Sequence, residues 1–177
     1  MIIGIAGKIA SGKSTLARAV AVKLRARRLG FGDYVRSIAL SRGLDPSDRT
    51  TLQTLGQDLA TRNPAAFVGG MLSSAGYLPP ENIVLDGVRH EAIWREVRAL
   101  AAELHDSACL VFLDIPEEMR LQRLVTRGLD YGTASAFDRH ASESDLDARL
   151  RMAADLILDM RLGGTQLVER VVHFVQT

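Results

Sequence analysis

The stretch Gly7-Lys8-Ile9-Ala10-Ser11-Gly12-Lys13-Ser14 decides how the rest of the chain is read. It matches G-x-x-x-x-G-K-[ST] without a gap. Residues 1–6 before it are apolar and β-branched, which suits a buried parallel strand. After it, Leu16, Ala19, Val20 and Leu24 recur at helical spacing over residues 14–28. Each part of the pattern has a physical reason. Glycines let the backbone curl so that successive N–H groups point at phosphate oxygens. The helix that follows adds the positive end of its dipole. Lys13 carries a charge toward the outer phosphates, and Ser14 offers a hydroxyl to Mg²⁺. Gly7, Ile9, Ala10, Ser11, Gly12, Lys13, Ser14 and Thr15 are therefore the expected ATP-binding set. A glycine-rich strand-to-helix turn without a ligand would share the spacing; the flanking strand and helix weigh against it.

Working outward, short apolar runs alternate with amphipathic segments. Strands are expected at 28–32, 82–86, 108–114 and 155–158, and helices at 33–42, 48–60, 64–74, 90–103, 116–127, about 142–152 and 164–175. Asn63-Pro64 reads as a cap followed by a first-turn proline, Ser142 with Asp145 as a capping box, and Gly43 as a helix stop. Strands alternating with helices imply a three-layer, doubly wound α/β fold with a parallel sheet of about five strands.

Composition bounds the function. A chain of 177 residues with 47% hydrophobic content fits one globular domain over residues 1–177. The net charge of +1 gives no whole-molecule attraction to nucleic acid or to an anionic membrane. Of 22 basic residues only Lys8, Lys13 and Lys23 are lysine, leaving 19 arginines. Codon bias explains such an excess, and so does phosphate binding by forked hydrogen bonds. The single cysteine, Cys109, lies in an apolar run and reads as strand filling. No leader pattern and no run near the roughly 20 apolar residues of a membrane span is found, so a cytoplasmic location is expected.

A second chemical signal is Asp86, at the end of Ile83-Val84-Leu85. In a doubly wound sheet, ligands sit at the carboxyl ends of strands, where an acid serves a metal. A plain turn aspartate before Gly87 is the bland alternative. Gly32-Asp33-Tyr34-Val35-Arg36 and Leu85-Asp86-Gly87-Val88-Arg89 follow the phosphate loop in the order seen in nucleoside monophosphate kinases, which the chain resembles. The resemblance implies a P-loop NTPase fold of the nucleotide-kinase type and assigns Arg36 and Arg89 to the acceptor phosphate. Val88 stands where that family usually has proline, and one residue is missing.

Arg120, Arg123 and Arg127 fall three and four apart on one helix face. In kinases of this type such arginines lean over the transferring group, and Arg123 and Arg127 are the expected catalytic pair beside Lys13. Residues 128–141 would form a short lid, with Arg139 a candidate acceptor contact, Arg149 a further one, and His140 within it; residues 33–76 would form the helical acceptor-binding region. The closing segment Ala154-Asp155-Leu156-Ile157-Leu158-Asp159 is also similar to dephospho-CoA kinases, and the region around Arg36 and Arg89 to the small deoxynucleotide kinases of phages.

The expected function is ATP- and Mg²⁺-dependent phosphoryl transfer to a small nucleotide, foremost a nucleoside monophosphate. A hydroxyl acceptor, such as dephospho-CoA or a base in DNA, is the alternative. Asp33 would orient or deprotonate a hydroxyl, or serve as a contact or cap if the acceptor is a phosphate. A nucleotide-dependent switch is the reading from another class, but no N/T-K-x-D segment supports a GTPase. Arg25, Arg27 and Arg28 make only a small basic cluster, so nucleic acid is a minor expectation as partner.

Overall fold

A computed structural model describes residues 1–126, 128 and 146–177. The central sheet has five parallel strands: β1 (Ile2–Gly7), β2 (Arg27–Gly30), β3 (Ile83–Val88), β4 (Ala108–Asp114) and β5 (Leu156–Asp159). Their spatial order is β2-β3-β1-β4-β5. The helices are α1 (Lys13–Leu24), α2 (Phe31–Ser41), α3 (Arg49–Arg62), α4 (Pro64–Ser74), α5 (Glu91–Glu103), α6 (Glu117–Thr126), a π turn (Leu146–Leu150) running into the short α7 (Arg151–Ala153), and α8 (Gly164–Gln176).

The strands are apolar on both faces because both faces are covered. Ile2, Ala6, Ile83, Leu85, Val88, Leu110 and Phe112 look toward α2–α5, where Phe31, Val35, Phe67, Ile93, Trp94 and Val97 complete one core. Ile3, Ile5, Val84, Val111, Leu113 and Leu158 look the other way and pack on Leu16, Ala17 and Val20 of α1 and on Leu167 and Val171 of α8. Gly4 lets Trp94 lie against the sheet: a Cβ at position 4 would stand 2.6 Å from Trp94 Cζ3. Cys109 is half-buried on β4, and burial pushes its thiol up to about 11.

Element ends depart from the sequence reading in several places: β2 stops at Gly30, β3 runs past Asp86 to Val88, α3 runs to Arg62, and two helix ends shift for a clear reason. The helix expected over 14–28 stops at Leu24, because Arg25 takes a left-handed conformation (φ 51°) and its N–H caps Ala21 and Val22. The helix expected from Asp33 begins at Phe31, behind Gly30, which has no side chain to announce a cap. By contrast, Asp48 and Asn63 cap α3 and α4 through side-chain hydrogen bonds, and Pro64 opens α4 as read. The capping box at Ser142 and Asp145 lies outside the described residues.

Candidate active site

The loop between β1 and α1 holds the quoted stretch. Gly7, Ala10 and Gly12 have positive φ (143°, 63° and 99°), so the chain curls as the pattern requires. Ile9 and Ala10 are buried against Leu124 of α6, which anchors the outside of the loop. Ser11 is buried, Thr15 closes the first turn onto Gly12 O at 3.1 Å, and Ser14 is exposed at the start of α1. Lys13 is buried, its Nζ donating to Gly7 O and Lys8 O at 2.6 Å each, so the ammonium stands inside the curl.

Asp86 reaches this loop because β3 lies beside β1, with Ile5 opposite Asp86. The register shifts directly after that pair, where Gly87 (φ 88°) forms a bulge. Asp86 is only 6% exposed. Its Oδ1 accepts from Ser14 Oγ at 3.2 Å, and its Oδ2 accepts from Arg28 Nη1 at 2.7 Å. A hydroxyl beside a buried carboxylate is a hard-oxygen pair that fits Mg²⁺. Among the described residues no cluster of three or more His, Cys, Asp or Glu could hold a metal by itself. Ser14 and Asp86 would therefore share the ion with the phosphates of a bound nucleotide.

Arg28 is the residue that sequence reasoning passed over. It continues from Asp86 to Asp33, donating from Nη2 to Oδ2 at 2.9 Å, while Arg36 Nη1 donates to Asp33 Oδ1 at 2.9 Å. Ser14, Asp86, Arg28, Asp33 and Arg36 thus form one continuous chain of contacts from the loop into a cleft of about 710 Å³. A period-two reading of Arg27-Arg28-Leu29-Gly30 gives the missing signal. Leu29 packs on the α2–α5 core, so Arg28 points to the opposite face. Arg27, its neighbour, turns outward to Glu81 and to Ala75 O.

Lys13, Ser14, Asp33, Arg36, Asp86 and Arg89 all line this cleft, as do Arg18, Arg28, Arg49, Gln53, Gln57 and His90. The structure therefore brings together the residues expected to bind metal and, apart from Arg139, those expected to bind the acceptor. It adds three arginines and two glutamines to them. Phe31 and Phe67, with ring centroids 5.6 Å apart, contribute aromatic wall. Arg123 is placed over the loop, Nη1 donating to Ser11 O at 2.9 Å. Arg120, one turn earlier, is buried with its guanidinium on Glu117, at 2.9 and 2.6 Å. That hydrogen bond, with the charges of Arg120 and Lys8, holds the Glu117 carboxyl below its ordinary range against the opposing effect of burial. Arg149 is exposed on the π turn. Arg127, Arg139, His140 and all of the expected lid except Gly128 lie outside the described residues.

A five-stranded parallel sheet with a glycine-rich phosphate loop after β1 and an acid near the carboxyl end of the neighbouring strand defines the class: an α/β P-loop NTPase domain of the nucleotide-kinase type. The family model described as an AAA domain matches residues 3–150, and the chain belongs to that family. Solved structures with the same fold include the APS kinase of Mycobacterium tuberculosis in complex with AMPPNP and APS, 19% identical, with 99% of this chain and 97% of that one covered and a TM-score of 0.66. TT1252 from Thermus thermophilus is 22% identical, covering 99% and 96% at a TM-score of 0.62. Shikimate kinase from Aquifex aeolicus is 13% identical, covering 99% and 96% at 0.58. A search of curated proteins found no match. No helix among the described residues is long and apolar enough to cross a membrane.

Proposed function

We propose that this chain is an ATP-dependent phosphotransferase whose acceptor is a nucleoside monophosphate. The observation that carries the reading is the composition of the cleft. It opens beside Lys13, Ser14 and Asp86 and, among the described residues, is lined by Arg18, Arg28, Arg36, Arg49 and Arg89 against only Asp33 and Asp86. Such an excess of guanidinium favours an acceptor that carries its own phosphate. The apolar and aromatic wall at Phe31 and Phe67 supplies surface for a flat ring.

The protein's work is positioning and charge stabilisation. The bond from the γ-phosphorus to ADP breaks as a bond to an acceptor phosphate oxygen forms, and no proton has to be removed from a phosphate acceptor. Lys13 and Arg123 flank the loop from inside and above, where negative charge spreads over the transferring group. Magnesium, when bound, adds positive charge beside Ser14 and Asp86. Residues 33–76 carry the acceptor side of the cleft through α2, α3 and α4. Both oxygens of Asp33 already serve Arg28 and Arg36. Asp33 is thus better placed to hold those arginines than to take a proton from a hydroxyl, which favours the phosphate acceptor over an alcohol.

An ADP-release assay with ATP, Mg²⁺ and a panel of ribo- and deoxynucleoside monophosphates tests this. Turnover of at least one is expected. Turnover of dephospho-CoA or another alcohol, with all monophosphates inert, would reverse the choice of acceptor. ATP binding without any turnover would point to a switch.

A further inference from the structure

One carboxylate of the site is wanted by two partners. Asp86 is buried, and its oxygens face different groups: Oδ1 accepts from Ser14 Oγ at 3.2 Å and Oδ2 from Arg28 Nη1 at 2.7 Å. Ser14 and Asp86 are also the pair that fits Mg²⁺. A divalent ion on that carboxylate opposes the guanidinium beside it, since both draw on one negative charge. Arg28 has a second hold. Its other arm, Nη2, donates to Asp33 Oδ2 at 2.9 Å, and Arg36 Nη1 donates to Asp33 Oδ1. The planar fork of an arginine can span two carboxylates in this way, where a lysine offers a single point charge. The backbone leaves room for the meeting. Gly30 stands opposite Asp86 in the β2–β3 pairing, and a Cβ there would lie 2.4 Å from Asp33 Oδ2 and 3.3 Å from Arg28 Nη1. The network is closed at the loop and open in the cleft: Asp86 is buried, Arg28 partly so, and Asp33 and Arg36 are exposed.

We propose that Arg28 couples the two halves of the site: its guanidinium leaves Asp86 as Mg²⁺ arrives with the nucleotide, stays tethered on Asp33 and turns to the phosphate of the acceptor, so that the two ligands bind with positive cooperativity. This rests on the nucleotide reading above. The charges support the direction. Asp33 and Asp86 together balance Arg28 and Arg36, so the network as a whole has no net charge to offer an anion. With Asp86 given over to the metal, Asp33 is left between two guanidiniums, and these three groups carry one net positive charge at the open end of the network. A phosphate is the group that completes them, through forked hydrogen bonds. Each ligand then favours the arrangement that the other needs. That is the condition for coupling, and the coupling must be equal in both directions. Arg28 is in this sense an acceptor-binding residue that is held back until the donor side is filled.

Calorimetry on the whole chain tests this, with AMPPNP as donor analogue and the best monophosphate of the panel as acceptor. Wild-type protein should bind the monophosphate at least about fivefold tighter with AMPPNP and Mg²⁺ than with AMPPNP and EDTA. AMPPNP with Mg²⁺ should tighten by the same factor when the monophosphate is present. In Arg28→Gln two affinities should move in opposite directions. AMPPNP with Mg²⁺ alone should bind about threefold tighter, its competitor at Asp86 being gone. The monophosphate should bind more weakly, with the effect of Mg²⁺ on it reduced to within about twofold. A residue that merely held the fold together would weaken both. Gly30→Ala keeps Arg28 but puts a methyl where Asp33 Oδ2 stands, so it should lower the coupling too. No coupling in wild-type protein, coupling of full size in Arg28→Gln, or a fall in the affinity of that variant for AMPPNP with Mg²⁺ would each overturn the inference, while leaving the nucleotide-kinase reading in place. Coupling intact in Gly30→Ala would overturn the tether on Asp33. If wild-type protein binds no monophosphate, the acceptor reading itself falls, and this inference with it.

Discussion

Replacing Arg28 by alanine is the sharpest probe of the site, because Arg28 joins the carboxylate expected at the metal to the acceptor wall. In Arg28→Ala the Asp86 carboxylate loses its 2.7 Å ion pair and keeps only Ser14. Stranding one partner of a fully buried pair costs about 3–5 kcal/mol. Arg28 is 30% exposed on the side of an open cleft, so water screens part of that, and about 1–2 kcal/mol is expected. The bond to Asp33 adds little, since that carboxylate is 56% exposed. For a domain of this size the loss corresponds to about 3–6 °C in Tm. The assay is a double-mutant cycle of Arg28→Ala, Asp86→Asn and the double variant, followed by urea unfolding without Mg²⁺. The double variant should be more stable than the sum of the singles predicts by about 1 kcal/mol. Millimolar Mg²⁺ should restore part of the loss in Arg28→Ala, where a carboxylate is freed, and none in the double variant. Additivity within about 0.3–0.5 kcal/mol would mean that Arg28 and Asp86 are not coupled and would refute the reasoning.

Other outcomes follow from the same geometry. Lys13→Ala should lower turnover at least about a hundredfold, since the ammonium stands inside the loop; near-normal turnover of a folded variant counts against the mechanism. Arg36→Ala should weaken acceptor binding with little change in ATP affinity, and calorimetry showing the reverse would put Arg36 on the donor side. Gly4→Ala should destabilise the fold by about 1–3 kcal/mol in urea unfolding, because the new methyl has to displace the Trp94 ring; a neutral result would mean that the α5 layer yields more easily than its packing suggests.

What was legible in the sequence was what is encoded locally. Eight consecutive residues specify the phosphate loop, Asn63-Pro64 announces α4, and continuous apolar runs mark β1 and β4. Arg36, Asp86 and Arg89 were found through short ordered motifs, and all three line the cleft. Arg28 was not found, because its meaning depends on β2 lying beside β3, a pairing between segments far apart in the chain. Arg18, Arg49 and the two glutamines escaped for a similar reason. On an isolated helix they are ordinary polar residues, and only the packing of α1 against β3 and of α3 against α2 places them on one cleft. The end of α1 was misjudged because Arg25 adopts a conformation normally announced by glycine.

The two-sided pattern of β3 bears on the chemistry as well as on stability. Val84 and Asp86 emerge on the α1 face of the sheet, Ile83 and Leu85 on the other. Sliding this strand along β1 by a single position would drive its aliphatic groups into the wrong layer and carry the acid away from Ser14. Greasy residues that never meet a substrate thus act as the detent that clocks a carboxylate into place. Substitutions that loosen them should be able to abolish the proposed phosphoryl transfer while the chain is still folded.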